Sequence, residues 1–255
     1  MIMRARPVLS RARFFTRPAR RVAAVAVAAV LFAFSGGAPA MGSQHASPGD
    51  FLRLDDFNET YPPGKIPGKW KARYLLPYFG RGDRAHIHFV HDGPGQHFIH
   101  LETGKDNWLS LGMDVAFRAK DWPVLEWEWK VGKFPKGGDV RKADKDDQAG
   151  AICFIIGYGT FGYDSALCYL YENTGPKNKL LIHRKNKNTR FYFPRTREAD
   201  GGQRWYKERR NIYQDYRKAF GKPPKKKGLI VLLIDSDSTE TSAEVFYRNL
   251  YLRKR

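Results

Sequence analysis

Two pairs of aspartates lie at the ends of apolar segments, where their carboxylate oxygens could bind a metal ion. Asp235 and Asp237 follow the segment GLIVLLI, and Asp146 and Asp147 precede the segment AICFII. Side chains two positions apart on a strand point the same way, so Asp235 and Asp237 share a face. If the two strand ends are neighbours, four carboxylates converge and must bind a cation, pair with arginine or raise a pKa. An oxygen-only ligand set in such a fold predicts calcium.

Two alternatives to a calcium site stay open. Arg209 and Arg210 could neutralise the four carboxylates as counter-ions. The aspartates could also belong to separate turns, because aspartate favours loops by hydrogen bonding to its own backbone.

A second candidate metal site lies in the histidine-rich segment HIHFVHDGPGQHFIH, which holds five of the seven histidines. If DGPG is a hairpin turn, His91 lies opposite Gln96, and His86, His88 and His97 share one face. Three imidazoles on one face can bind zinc, copper or iron. The alternative is a solvated polar face.

The segment VLEWEWKV places Glu126, Glu128 and Lys130 on one face of a strand. Neighbouring side chains on one face lie about 6.5–7 Å apart, a separation that carboxyl tips can adjust for glycoside hydrolysis. The two glutamates resemble the catalytic strand of concanavalin-like glycoside hydrolases, with Lys130 where that pattern has a further acid. They are the candidate catalytic residues if the protein is an enzyme.

The elements that must position these residues read as short strands separated by Gly, Pro and Asp, which is typical of an all-β sandwich or barrel. Residues 201–224 break this pattern, because Trp205, Ile212, Tyr216 and Phe220 recur at helical spacing before Gly221. We therefore expect an antiparallel β-sandwich, jelly-roll or concanavalin-like, with one flanking α-helix. The predicted strands are residues 51–57, 72–78, 85–91, 96–101, 108–117, 124–131, 151–158, 165–171, 179–184, 190–193, 228–235 and 243–252.

The two cysteines lie on successive predicted strands joined by GYGTFGYD. A hairpin that pairs Ile156 with Ser165 also pairs Cys153 with Cys168. In an exported protein an even number of cysteines favours a disulfide, and two buried thiols are the alternative.

Residues 1–40 have the pattern of a secretory signal peptide: seven arginines and no acid, a short apolar run, and an Ala38-Pro39-Ala40 end. We expect cleavage after Ala40, a flexible lead-in at 41–50 and a single sandwich domain at 51–255, in the periplasm or secreted. An uncleaved anchor is the alternative, although the apolar run is shorter than the roughly 20 residues of a spanning helix. The mature chain would hold no transmembrane span. The choice between Sec and twin-arginine export stays open.

The chain is strongly basic, and the excess charge survives removal of the leader. The formal net charge of +19 becomes +12 (19 − 7) when the seven leader arginines are removed. An exported basic protein meets acidic glycans, lipopolysaccharide or anionic lipid, whereas export argues against nucleic acid as a partner. Plain solubility is the alternative reason for the charge.

Three groups of motifs carry a family resemblance that covers roughly residues 50–252. They are LRLDDFNETYPPGKIPGKW, then WPVLEWEWKVGKFPKGGDVRKADKDDQAGAICFIIG, and finally RNIYQDYRKAFGKPP with LIDSDST. Together they resemble a family of secreted bacterial proteins known only as a domain of unknown function. Its opening and closing strands are similar to those of jelly-roll and concanavalin-like sandwiches, a resemblance that implies glycan handling by analogy of fold.

The leading hypothesis is an exported protein that binds an extracytoplasmic, acidic glycan or another anionic envelope component, with calcium as a structural cation. Aromatic rings can contact the apolar faces of sugars, and basic side chains can bind their acidic groups. The candidate residues are Trp108, Trp122, Tyr158, Tyr163, Trp205, Arg209 and Arg210. A polysaccharide-degrading hydrolase or lyase and a structural envelope protein are the alternatives.

Overall fold

The computed structural model describes residues 49–59, 65–66, 68–72, 85–91, 93, 96–105, 107–157, 163–225 and 227–255. The chain divides into two units, residues 1–44 and 45–255, and all described residues lie in the second. The predicted signal peptide and Tyr158 lie outside the described residues, as does most of the predicted lead-in.

The described residues form thirteen strands and two short helices, which follow β10 and β11. The strands are β1 Phe51–Asp55, β2 Trp70–Ala72, β3 Ala85–His91, β4 His97–Thr103, β5 Trp108–Ala116, β6 Val124–Lys133, β7 Gly150–Ile156, β8 Ser165–Glu172, β9 Leu180–Ile182, β10 Thr189–Thr196, β11 Tyr206–Asn211, β12 Lys227–Asp235 and β13 Ala243–Arg253. The helices are α1 Arg197–Asp200 and α2 Ile212–Phe220.

The strands form two sheets. Sheet A has the order β11-β6-β13-β4-β3. Strand β1 pairs with the C-terminal part of β13, and β4 pairs with its N-terminal part. Sheet B has the order β2-β5-β12-β7-β8-β10-β9. The pairings among the described strands are antiparallel except for the parallel pair of β8 and β10. The expected antiparallel-rich β-sandwich is confirmed.

The core lies between the facing sides of the sheets and is rich in aromatic rings. Trp127 and Trp129 of β6 are fully buried. The ring centroid of Trp127 lies 5.3 Å from that of Tyr169, and the ring centroid of Trp129 lies 5.4 Å from that of Tyr171. Since both tyrosines belong to β8, these contacts pack sheet A against sheet B. Buried aromatic pairs at such distances contribute beyond their buried area. The apolar face of VLEWEWKV therefore points inward, as its alternation predicts.

The other side of sheet B is also apolar. Every residue of β7 and β8 is buried, and Ala151, Cys153, Ile155, Cys168 and Leu170 belong to a second hydrophobic cluster on the outer face. Val140, from the segment between β6 and β7, and Phe193 of β10 pack in the same cluster. Both faces of β7 and β8 are therefore apolar and buried.

The helix expected across residues 201–224 is a strand followed by a shorter helix. Residues 206–211 pair with β6, and Lys207, Glu208 and Arg209 alternate between exposed and buried. The side chain of Asn211 then accepts a hydrogen bond from the Gln214 N–H and caps α2. Pairing with β6 therefore decides the structure of residues 206–211, although the spacing of Trp205 and Ile212 predicted a helix.

The two predicted hairpins differ in outcome. In the β7–β8 hairpin Cys153 lies opposite Cys168, as predicted, and the two sulfur atoms are joined in a disulfide. In the β3–β4 hairpin His91 lies opposite His97 instead of Gln96, because the loop has one more residue than the predicted turn. Since a one-residue shift exchanges the faces of a strand, His97 lies on the opposite face from His86 and His88. The predicted three-histidine metal site is therefore wrong.

Candidate functional site

A groove of about 430 Å³ lies on the outer face of sheet B. Its floor is apolar and consists of side chains from β7, β8, β10 and β12, including the disulfide. Its rim is polar and comes from the β5–β12 strand ends and the hairpin of β9 and β10. The lining residues are Trp108, Asp146, Gln148, Ala151, Cys153, Ile155, Tyr163, Ala166, Cys168, Leu170, His183, Lys185, Asn186, Thr189, Phe191, Leu233, Asp235, Asp237 and Ser238.

Three of the predicted aspartates meet at one end of the groove. One carboxylate oxygen each from Asp147, Asp235 and Asp237 lies within 4.8 Å of the others. Calcium binds oxygens at about 2.3–2.6 Å, so two ligands of one ion are separated by at most about 5.2 Å. The carboxylates are therefore close enough to share one cation.

Asp147 has a structural role that explains why this end forms. Its carboxylate is fully buried and accepts hydrogen bonds from the Ser238 N–H at 3.0 Å and the Thr239 N–H at 2.8 Å. The Thr239 hydroxyl donates a further bond to it. Asp147 thus fastens the turn after β12 to the segment before β7, and this brings Asp235 and Asp237 alongside it.

Asp235 and Asp237 are less constrained and face the groove. Asp235 is partly buried and Asp237 is exposed. Burial, followed by the charges of Asp237 and Asp147, raises the pKa of Asp235 well above its ordinary value. A hydrogen bond from the Asp237 N–H to the Asp235 carboxylate, at 3.3 Å, acts in the opposite direction and lowers the pKa.

Asp146, the fourth predicted ligand, belongs to the rim rather than to the three-carboxylate group. His183 Nε2 lies 2.9 Å from its carboxylate, and Lys185 Nζ lies 3.2 Å away. Both contacts are to Oδ2. Asp146 does not belong to the group of carboxylates that lie within 4.8 Å of one another, so the prediction that it shares their ion is wrong.

The aromatic candidates divide between surfaces. Trp108 and Tyr163 line the groove, and the Tyr163 hydroxyl is held by Thr189 at 2.7 Å and by Asn186 at 3.0 Å. Trp122 lies beside Lys254, whose Nζ is 5.4 Å from its ring. Trp205 lies on the outer face of sheet A, 5.7 Å from Phe98.

The basic candidates do not reach the aspartate cluster. Arg210 makes a bidentate ion pair with Asp215 and lies 4.1 Å from the Tyr192 ring. Arg209 is exposed on the outer face of sheet A, opposite Glu126 in the β11–β6 register. The alternative in which these two arginines are the counter-ions of the cluster is therefore wrong.

The two candidate catalytic glutamates are held in ion pairs on the outer face of sheet A. Arg253 binds both oxygens of Glu126 at 2.8 and 2.9 Å, and Lys207 lies 3.0 Å away. Burial acts to raise the pKa of Glu126, but bonds from Arg253 and Lys207 outweigh it and hold the pKa below its usual range. Glu128 is bound by Arg248 and Asn249.

These contacts suit a structural role for the two glutamates. A glycosidase acid needs a raised pKa and a free path to the leaving group. Glu126 has neither the raised pKa nor an unpaired oxygen, so its prediction as a catalytic acid is wrong. Glu128, with both oxygens bound, is likewise not placed to protonate a substrate.

Several groove residues were not predicted from the sequence. They come from the basic segment PKNKLLIHRKNKNTRFYF and are His183, Lys185, Asn186 and Thr189. The positive charge of the chain predicts attraction for anions in general and does not single out these residues. The available signal was the Asn-Lys-Asn sequence between two short apolar runs, which indicates a tight hairpin. That signal places a turn but not the surface it covers.

The architecture defines a two-sheet β-sandwich with a groove on the outer face of one sheet. The chain belongs to the family described as "Protein of unknown function (DUF3047)", whose model matches residues 79–251. The expected membership of a family catalogued only as a domain of unknown function is thus confirmed. No curated protein matches the chain. Within the described part of the chain, the helices are too short and polar to cross a membrane.

Solved structures with a similar arrangement include two proteins of distant sequence. The family 11 carbohydrate-binding module of the cellulase Lic26A-Cel5E of Clostridium thermocellum is 10% identical, with coverage of 80% of this chain and 94% of the module and a TM-score of 0.43. The xyloglucanase domain of NopAA, a type three effector from Sinorhizobium fredii, is 8% identical, with coverage of 74% and 95% and a TM-score of 0.42. At these identities and TM-scores, the likeness assigns no ligand to this chain.

Proposed function

We propose that this protein is an exported glycan-binding protein and that its ligand lies in the groove of sheet B. The observation that carries the proposal is the combination of Trp108 and Tyr163 with a polar rim above an apolar floor. Sugars present apolar C–H faces and polar edges, so they fit a site with aromatic rings and a few convergent polar groups. Export is proposed on the leader-like residues 1–40.

The acidic end of the groove supports a bound calcium ion as part of the site. Asp147, Asp235 and Asp237 offer three oxygens at compatible distances, whereas calcium takes six to eight oxygen ligands. The remaining positions would be open to water or to the hydroxyl and carboxylate oxygens of a sugar. An acidic glycan would otherwise be repelled by Asp235 and Asp237, so acid recognition here requires the ion.

Calorimetric titration of the mature protein tests this function. The ligands are oligosaccharides of hyaluronan and of chondroitin sulfate, with dextran oligosaccharides as the neutral series, each with calcium and with excess EDTA. We expect calcium-dependent binding of an acidic series. Trp108→Ala should weaken it by about thirtyfold, which corresponds to the roughly 2 kcal/mol of an aromatic anchor.

Two further variants separate the parts of the proposal. Asp237→Asn, at an exposed position, should lower the affinity for calcium. Because the ion is proposed to bind the acidic glycan, the affinity for that glycan should fall as well. Trp122→Ala is the matched control, because Trp122 does not line the groove. Absence of binding by both the acidic and the neutral series would refute glycan binding in the groove. A loss of affinity on Trp108→Ala that is equally large in calcium and in EDTA would refute the calcium requirement alone.

A further inference from the structure

A row of five side chains crosses the outer face of sheet A at right angles to the strands. The β11–β6 register sets Trp205, immediately before β11, beside Lys130 of β6. Lys130 lies opposite Phe246 of β13, Phe246 opposite His100 of β4, and His100 opposite His88 of β3. Adjacent strands are about 4.8 Å apart, so this transverse row is about 19 Å long.

Consecutive members of the transverse row are in contact. Lys130 Nζ lies 4.2 Å from the centroid of the Phe246 ring and 5.5 Å from that of Trp205. On its other side Phe246 stacks on His100, with centroids 4.3 Å apart and planes within 10°. His88 follows at 5.6 Å. The row is therefore a packed series of aromatic rings with one ammonium among them, and the rings of Trp205 and Phe246 hold the Lys130 ammonium by cation–π attraction.

Lys130 is the cation at the centre of this face that lacks a carboxylate partner among the described residues. Two nearby acids are paired with other cations: Glu126 with Arg253 and Lys207, and Glu128 with Arg248. Glu244 lies 2.9 Å from His100, whose pKa is lowered by burial, and it makes no ion pair with Lys130 among the described residues. Glu102, a further described acid of the face, lies on β4, two strands away from Lys130. A fixed ammonium without an anion on an outer sheet face is complementary to an anionic ligand.

We propose that the transverse row binds the acidic units of an extended polysaccharide that lies across the strands. Lys130 pairs with a carboxylate or sulfate of one unit, and the edges of Trp205 and Phe246 contact the apolar face of the sugar. Arg248, 4.1 Å from the Trp205 ring, orients the indole while it neutralises Glu128.

The charges of the face favour a hydrated polymer over an anionic lipid surface. Docking on a bilayer would remove the four carboxylates of this face from water, and burial of charges is costly even when they are paired. A polysaccharide contacts the row while the flanking ion pairs stay hydrated. The row and the groove lie on outer faces of different sheets, so this proposal is independent of ligand binding in the groove.

The test measures binding of the mature protein to chondroitin sulfate at low salt in the presence of EDTA, which removes the proposed contribution of the groove. Lys130→Gln should lower the affinity about tenfold, the loss expected for one charge-assisted contact, whereas Lys130→Arg should retain it. Trp205→Ala should lower the affinity and Trp205→Phe should restore part of it. Circular dichroism and thermal melts establish that each variant is folded.

Lys71→Gln is the matched control, because it removes one exposed positive charge from β2 in sheet B. An unchanged affinity in this control, with a loss in Lys130→Gln, supports the row. Equal losses in both variants would mean that general positive charge attracts the polymer and would overturn the proposal. Binding to phosphatidylglycerol vesicles without binding to chondroitin sulfate would also overturn it, in favour of a lipid surface. Trp108→Ala has no effect in this assay if the two sites are separate.

Discussion

The carboxylates of Asp147, Asp235 and Asp237 have different roles because they accept different hydrogen bonds. Asp147 accepts three hydrogen bonds from one turn, whereas Asp235 and Asp237 face the groove. Sequence spacing could predict that Asp235 and Asp237 share a face. It could not predict that Asp147 would be occupied by the Ser238 and Thr239 donors, since that contact spans about ninety residues.

Glu126 should contribute to stability through its bonds to Arg253 and Lys207. The residue is 5% exposed, so Glu126→Gln leaves Arg253 without its bidentate partner and should destabilise the fold by about 3 kcal/mol at neutral pH. Because the pKa of Glu126 is lowered in the folded state, this contribution is present above the ordinary carboxyl pKa and is lost as the pH falls. Urea denaturation at pH 7 and pH 3 measures both effects. A variant as stable as the wild type at pH 7 would contradict the structural role.

Glu172 should give a pH dependence of the opposite sign. Burial raises its pKa from 4.5 to about 6, although its carboxylate accepts bonds from the Thr174, Gly175 and Val140 N–H groups. The folded state therefore binds more protons than the unfolded state between about pH 4.5 and 6, and stability falls as the pH rises through that window. A rise of the Glu172 pKa from 4.5 to about 6 corresponds to about 2 kcal/mol of stability.

Denaturation of the wild type and of Glu172→Gln at half-unit steps from pH 4 to pH 7 measures this contribution. The variant cannot titrate at this position, so its stability should change less across the window. Parallel curves for the two proteins would show that Glu172 is not the responsible group.

At the scale of elements, the positions of the described strands followed well from apolar runs, whereas registers and one helix did not. The strand predicted at 72–78 lies outside the described residues after Ala72. The strand predicted at 85–91 has those bounds, but the facing strand begins at His97, and the longer loop exchanges the histidine faces. Loop length decides register, and the sequence DGPGQ allows more than one turn. Residues 206–211 became a strand because they complete the edge of sheet A beside β6, a tertiary contact that local spacing does not contain.

The disulfide should stabilise the β7–β8 hairpin and keep the groove floor in place. Cys153 and Cys168 are 15 residues apart, and closing a loop of this length is worth about 3 kcal/mol. The double variant Cys153→Ala/Cys168→Ala should therefore unfold at a lower urea concentration by that free energy. Since both residues line the groove, groove affinity should fall as well, while retention on chondroitin sulfate in EDTA stays unchanged. Free-thiol assay of the unfolded wild type establishes the bond, and detection of two free thiols would contradict it.

At the scale of the whole molecule, the groove could not be predicted because its walls come from segments far apart in sequence. The floor is formed by apolar side chains of β7, β8, β10 and β12. Val140 packs on this outer face from the segment before β7, and β10, which lies beside β8 in the sheet, adds Phe191 and Phe193. These contacts leave one stretch of the floor open between Trp108 and Tyr163.

Two separate binding surfaces would make the protein bivalent toward a single type of polymer. The groove and the transverse row lie on outer faces of different sheets, so both can be occupied at once. Linked sites act at an effective concentration of about millimolar and can raise avidity about 10²–10⁴-fold, or they can join two polymer chains. We therefore expect the mature protein with calcium to increase the light scattering of chondroitin sulfate. Because each variant weakens one of the two sites, Trp108→Ala and Lys130→Gln should each reduce this increase, and the double variant should reduce it further. Scattering that equals that of the wild type in both single variants and falls only with added salt would mean that the net positive charge, rather than two defined sites, joins the chains.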